Sequence, residues 1–144
     1  MRNGRLNDGY QVSNKNYQLA LKDLSILKNQ IDAVFDETDL IITPSAPGEA
    51  LKGLVYTGSP IFNTTWTLAG MPAITLPLFK SKNNLPIGCQ IISHRDNDEF
   101  LLELGKFLLN EFGNLFCPAD LAINVESLIA CFQKFLISFS EFIS

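Results

Sequence analysis

Arginine is scarce in this chain. Arg2, Arg5 and Arg95 are the only three, and the formal net charge is −4. No basic patch or Arg-rich run exists, so the electrostatic footprint of a nucleic-acid binder is missing. Histidine occurs once, at His94. The three cysteines, Cys89, Cys117 and Cys131, lie far apart without a CxxC pair. One His and scattered Cys do not make a zinc site, and the odd count reads as reduced, buried thiols of a cytoplasmic protein. No apolar run reaches the roughly 18 residues of a membrane-spanning helix. The start, MRNGRLNDGY, has no apolar segment of the signal-peptide kind. Calcium-loop, phosphate-loop and G-x-S-x-G patterns are missing too. No metal and no cofactor is called for.

Apolar residues are plentiful. They make up 47% of the 144 residues against 18% charged, which excludes a disordered chain and leaves few charges to cover a surface. Ser13 or Asn14 can cap a helix running to about Phe35. Tyr17, Ala20, Leu21, Leu24, Leu27, Ile31, Val34 and Phe35 recur at three- and four-residue steps, as in an amphipathic helix lying on a sheet. An acidic break at residues 36–39 is followed by Leu40, Ile41 and Ile42, a short strand expected to be covered on both faces. Ser45 to Pro60 is a loop of about sixteen residues, long enough to suggest either a lip over a pocket or a surface crossing.

The stretch from Phe62 to Ile92 organises the rest. Phe62 to Ala69 fits two helical turns stopped by Gly70. Ala73 to Leu76, bracketed by Pro72 and Pro77, fits a buried strand that cannot extend. Phe79 to Asn84 reads as an exposed turn, and Pro86 to Ile92 as a second strand, with Gly88 marking a bulge or a close backbone approach. Asp96 and Glu99 have capping-box spacing ahead of a helix from about Asn97 to Phe112, stopped by Gly113. The expected class is α/β, a sheet flanked by helices. Residues 118–142 keep a helical interval of apolar side chains rich in Phe. Packing on the chain's own sheet, a partner or dimer interface, and a membrane surface all remain open for it.

The run WTLAGMPAITLP followed by LPIGCQII resembles the C-terminal hallmark of the amidase signature family, serine amide hydrolases with a Ser–Ser–Lys triad. The resemblance covers roughly Gly9 to Phe112. It implies a division into residues 1–112, the C-terminal portion of an amidase domain with part of a mixed sheet, and residues 113–144, an added helical tail. Family catalysis needs a nucleophilic Ser, a second Ser on a cis peptide, and a Lys base. Such a cis bond costs about 2.5–4 kcal/mol, so the fold must enforce it. The chain has no Ser–Ser dipeptide and no Gly-Gly-Ser run. Thr57-Gly58-Ser59-Pro60 reads as a turn. No catalytic residue is assigned, and His94 has no Ser or Cys partner in a familiar motif.

By resemblance the segment Ser59 to Trp66 borders the acyl site. Ser59, Phe62, Asn63 and Trp66 are the substrate-binding candidates. Phe62 and Trp66, four apart, would share a helix face, as pocket wall or as plain core. The main expectation is a C-terminal fragment or split half of an amide hydrolase, inactive alone. Its substrate would be a small amide, bound only once the N-terminal half is supplied. The alternatives are a non-catalytic interaction module using the Phe-rich helix, and part of a glutamyl-tRNA amidotransferase A-type subunit. Strand edges left unpaired by a missing half predict self-association, or a complementing chain.

Overall fold

The computed structural model describes residues 8–112. Expectations for the first seven residues and for residues 113–144, including the Phe-rich helix, Cys117, Cys131 and the Gly113 stop, lie outside them. The described elements are α1 (Asn14–Phe35), β1 (Leu40–Pro44), α2 (Thr64–Ala69), β2 (Ala73–Lys80), β3 (Pro86–Ser93) and α3 (Asp98–Phe112). The expected α/β class is what forms. The strands make one sheet in the order β1-β3-β2, and both pairings are antiparallel.

β3 is the centre of the molecule. Its adjacent isoleucines, Ile91 and Ile92, point to opposite faces because strand side chains alternate. Ile91 joins Leu76, Cys89, Leu101, Leu104 and Leu108 beneath α3. Ile92 joins Ile31, Ala69 and Met71 on the side of α1 and α2, with Leu27, Phe35, Ile41 and Trp66 around them. The strand covered on both faces is therefore β3. β1, expected in that role, is half-exposed along its whole length because it lies at the sheet's edge.

α1 begins where expected. Ser13 is extended (φ −66°, ψ 152°) and its hydroxyl accepts from the Asn16 amide at 3.2 Å. Only part of the apolar stripe is covered, however. Leu24, Leu27, Ile31 and Phe35 turn inward, whereas Tyr17 is 54% exposed and Leu21 and Val34 are also exposed. The sheet is three strands wide, and the first half of the helix has no described residue beneath it.

Pro77 does not end β2. The strand runs on to Lys80 because the register slips between Leu76 and Phe79, where β2 carries one residue more than β3. A proline fits at such an irregularity on an edge strand, where no donor is needed. Phe79 and Lys80 are thus strand, and the turn occupies residues 81–85. There Ser81 N–H donates to Leu85 O at 2.8 Å, the Ser81 hydroxyl accepts from two amides, and Asn84 takes φ 61°.

α3 starts without the capping box. Asp96 has φ 62° and stands one residue outside the helix entry. Asn97 supplies the first carbonyl, to Leu101 N–H, and its side chain donates to the Ser93 hydroxyl at 2.9 Å. Gly105 lets the helix sit close on β2: a Cβ there would come within 2.6 Å of Ile74 Cδ1. Arg95 ties the other face together, pairing with Asp32 of α1 and donating to the Ala69 carbonyl at the end of α2. His94 lies beside it with its ring edge-on to Phe35, centroids 6.0 Å apart.

Candidate functional site

Polar side chains converge where β1 leaves the sheet and α2 begins. Gln90 is the key. It sits mid-strand in β3 and is only 4% exposed. A buried carboxamide must find partners, since an unpaired one costs about 1–3 kcal/mol. The Thr43 hydroxyl donates to Gln90 Oε1 at 3.1 Å, and Gln90 Nε2 donates to Asn63 Oδ1 at 2.6 Å. Asn63 Nδ2 then donates to the Ser45 carbonyl at 3.2 Å. Ser45 closes the chain of contacts, giving both its amide (3.0 Å) and its hydroxyl (3.1 Å) to the Gly88 carbonyl. Gly88 is required by this closeness. A Cβ on it would land on the Ser45 hydroxyl and within 2.5 Å of Thr75 Cγ2. Of the two meanings the sequence allowed for Gly88, close approach is the one realised. The register slip lies elsewhere, at Pro77.

α2 is shorter than the sequence suggested, starting at Thr64 rather than Phe62. Thr64 and Thr67 return their hydroxyls to the Pro60 and Asn63 carbonyls, at 2.9 and 3.0 Å. Gly70 ends the helix in the left-handed region at φ 72°, and Met71 N–H reaches back to Trp66 O.

The four candidate residues are not gathered into one wall. Asn63 belongs to the polar chain, with both ends of its amide engaged. Phe62 lies in the turn before α2, so it shares no helix face with Trp66. The Trp66 ring packs against the core around Ile31 and Ile92. Ser59 and Phe62 are half-buried at the exit of the long loop. Gln90, Thr43 and Ser45 were missed. The one available signal was a Gln inside the apolar run IGCQII, a polar residue at a strand position that burial makes costly.

The early part of the loop is held by Glu49, whose carboxylate accepts from Asn83 Nδ2. Hydrogen bonds from Ser81 and then Asn83 hold the Glu49 carboxyl below its usual 4.5. Because the folded value is lowered, the latch is complete above the unfolded value and is lost as pH falls through the folded one. A carbon-detected NMR titration is expected to place the Glu49 midpoint below 4.5. The Asn83 side-chain amide should shift in the same step, and Glu49→Gln should abolish that step. A midpoint at or above the usual value removes the latch. Past Glu49, Leu51, Leu54, Val55 and Tyr56 stand out into solvent.

Among the described residues no helix is long and apolar enough to cross a membrane. The family model Amidase matches residues 1–102. The chain is similar to the A-type subunit of glutamyl-tRNA(Gln) amidotransferase from Thermodesulfovibrio yellowstonii. The two are 36% identical over 95 residues, covering 61% of this chain and 20% of the relative. Against the Ehrlichia canis counterpart of that subunit the figures are 32% over 116 residues, 76% and 23%. The chain thus spans about a fifth of the length of the curated relatives it matches. Among solved structures it is similar to the Thermotoga maritima counterpart (TM-score 0.53, 32% identity, 64% of this chain and 22% of that one). A 6-aminohexanoate cyclic dimer hydrolase complexed with substrate shares the fold (TM-score 0.60, 20% identity, 71% and 25%). With the family model covering well over half of its residues, this chain belongs to the amidase family.

Proposed function

We propose that this chain supplies the C-terminal sheet segment of an amide hydrolase of the kind found in glutamyl-tRNA amidotransferases. On this reading the residues that attack the amide lie outside these 144. One observation carries it: 144 residues of an amidase-family sequence contain neither a Ser–Ser dipeptide nor a Gly-Gly-Ser run. The polar cluster does not substitute for them. Ser45 spends its hydroxyl on the Gly88 carbonyl, Gln90 gives its Nε2 to Asn63 Oδ1, and Asn63 gives its Nδ2 to the Ser45 carbonyl. None of these groups is a base that could take the proton of a serine. The segment's role is to form the floor under the site, with Ser59 and Phe62 at the loop exit facing the acyl group. The reaction it would join is hydrolysis of a carboxylic amide through an acyl-serine. In the amidotransferase case the ammonia released would be passed to a glutamyl-tRNA. We place the assembled protein in the cytoplasm.

The purified 144-residue chain is expected to release no ammonia above the blank from glutamine or from a panel of small amides. Adding a polypeptide that carries the N-terminal half of a relative, with its Ser–Ser–Lys residues, is expected to restore turnover. Hydrolysis by the chain alone refutes the proposal.

A further inference from the structure

The loop exit that carries Ser59 and Phe62 has little packing of its own to hold it. Gly58, just before it, stands in the left-handed region at φ 97°, with open space where a side chain would be. Ile61 is 66% exposed, and among the described residues Phe62 joins neither of the two apolar clusters of the core. A turn holds the segment instead. The Pro60 carbonyl accepts three donors: the Asn63 amide at 2.9 Å, the Thr64 amide at 3.0 Å and the Thr64 hydroxyl at 2.9 Å.

Asn63 joins that turn to the sheet. It stands at the N-cap of α2, where an Asn side chain ordinarily accepts from the first amides of the helix. Here it makes no such bond. The backbone of Asn63 serves the turn and the helix: its amide donates to Pro60 O, and its carbonyl accepts from Thr67 N–H. The side chain is given to distant partners, with Oδ1 accepting from Gln90 Nε2 and Nδ2 donating to the Ser45 carbonyl. Gln90 is itself fixed. It lies in the middle strand, paired with Thr43 on one side and Thr75 on the other, and the Thr43 hydroxyl engages its Oε1. A carboxamide only 4% exposed has little water to turn to, so these partners set its orientation. A continuous line of hydrogen bonds therefore runs from Thr43 through Gln90 and Asn63 to Pro60, the residue next to Ser59.

We propose that Gln90 is a positioning residue for the acyl site: through Asn63 and the turn at residues 60–64 it sets where Ser59 and Phe62 stand against the acyl group. This rests on the reading of the chain as part of an amide hydrolase. Gln90 touches no substrate. It keeps a wall in place, and a wall that meets the acyl group equally in the bound state and in the transition state governs KM rather than kcat.

The test mixes the full chain with the N-terminal half of a relative and follows turnover of two amides. Phenylacetamide has an acyl group large enough to meet Phe62, and acetamide offers only a methyl. Gln90→Leu is expected to raise KM for phenylacetamide about tenfold, the scale of a lost apolar pocket contact, with kcat within about twofold. KM for acetamide should stay where it was. Leu104→Ala weakens the fold without touching this line of hydrogen bonds. It should lower the apparent kcat by its unfolded fraction and leave both KM values alone. Thr43→Val keeps the shape of the strand residue and removes one hydroxyl, so it should raise the phenylacetamide KM by less than Gln90→Leu does. Should Gln90→Leu fail to fold, Thr43→Val decides. An unmodified mixture that turns over neither amide overturns the amide-hydrolase reading, and the role of Gln90 with it. An active mixture whose KM values hold in the folded variants, or rise alike for both amides, overturns the positioning role alone.

Discussion

Leu104→Ala is expected to lower the unfolding free energy of this chain by about 2–5 kcal/mol, the range for emptying a fully packed leucine site. Leu104 is fully buried, and it stands between Leu101 and Leu108 on the one face of α3 that meets the sheet. Deleting its isobutyl group opens a cavity against Ile91, Leu76 and Cys89. The site has little freedom to collapse. Gly105 beside it already brings the helix backbone close to Ile74, so α3 cannot move nearer without a clash. Against the roughly 5–15 kcal/mol of a whole domain, such a loss takes a large share. Urea denaturation followed by circular dichroism measures it, with the exposed Leu102→Ala as the control, expected within about 0.5 kcal/mol. A loss below about 1 kcal/mol at Leu104 would mean that α3 is not anchored through this face.

What could be read from the residues followed from how local the cause was. Ser13 as a cap, Gly70 as a left-handed stop and Pro86 to Ile92 as a strand depend on a residue and its near neighbours. Each was legible. The failures lie where a distant segment decides. Pro77 stops a regular strand, yet the slip in pairing with β3 lets β2 continue, and pairing is not visible in one strand's residues. The Asp96–Glu99 spacing fits a capping box, but Asp96 is spent on a left-handed turn that leads the chain from β3 into α3. Of the stripe on α1, Leu24, Leu27, Ile31 and Phe35 turn inward, while Tyr17, Ala20, Leu21 and Val34 stay exposed. In the candidate site, Asn63 was named for a substrate contact through the family resemblance of its segment, and its contacts within the fold were not visible there. The partners that occupy its amide, Ser45 and Gln90, lie 18 and 27 residues away in the chain. The family hallmark itself was legible because it is contiguous.

Gln90→Leu should show what the polar chain is for. Leucine is similar in volume and apolar, so the substitution removes hydrogen bonds with little change in packing. It leaves Asn63 Oδ1 without its donor and the Thr43 hydroxyl without its acceptor. Each group stranded away from water costs about 1–3 kcal/mol. Asn63 is half-buried and can recover part of its loss by turning to solvent, which places the total nearer the lower end for that residue. The stability loss is accordingly expected at about 2–4 kcal/mol by urea denaturation. It should come with a local effect that a plain core change such as Leu104→Ala lacks. Once Asn63 is released, Ser45 O loses the amide that pins the start of the long loop. Trypsin should then cut at Lys52, exposed in that loop, faster in Gln90→Leu than in Leu104→Ala when the two are compared at equal fraction folded. In the double variant Gln90→Leu/Asn63→Leu no amide is stranded at position 63, so the combined cost should fall short of the sum of the two single changes. Simple additivity, with cleavage at Lys52 unchanged, would mean that Gln90 fills space without holding the loop.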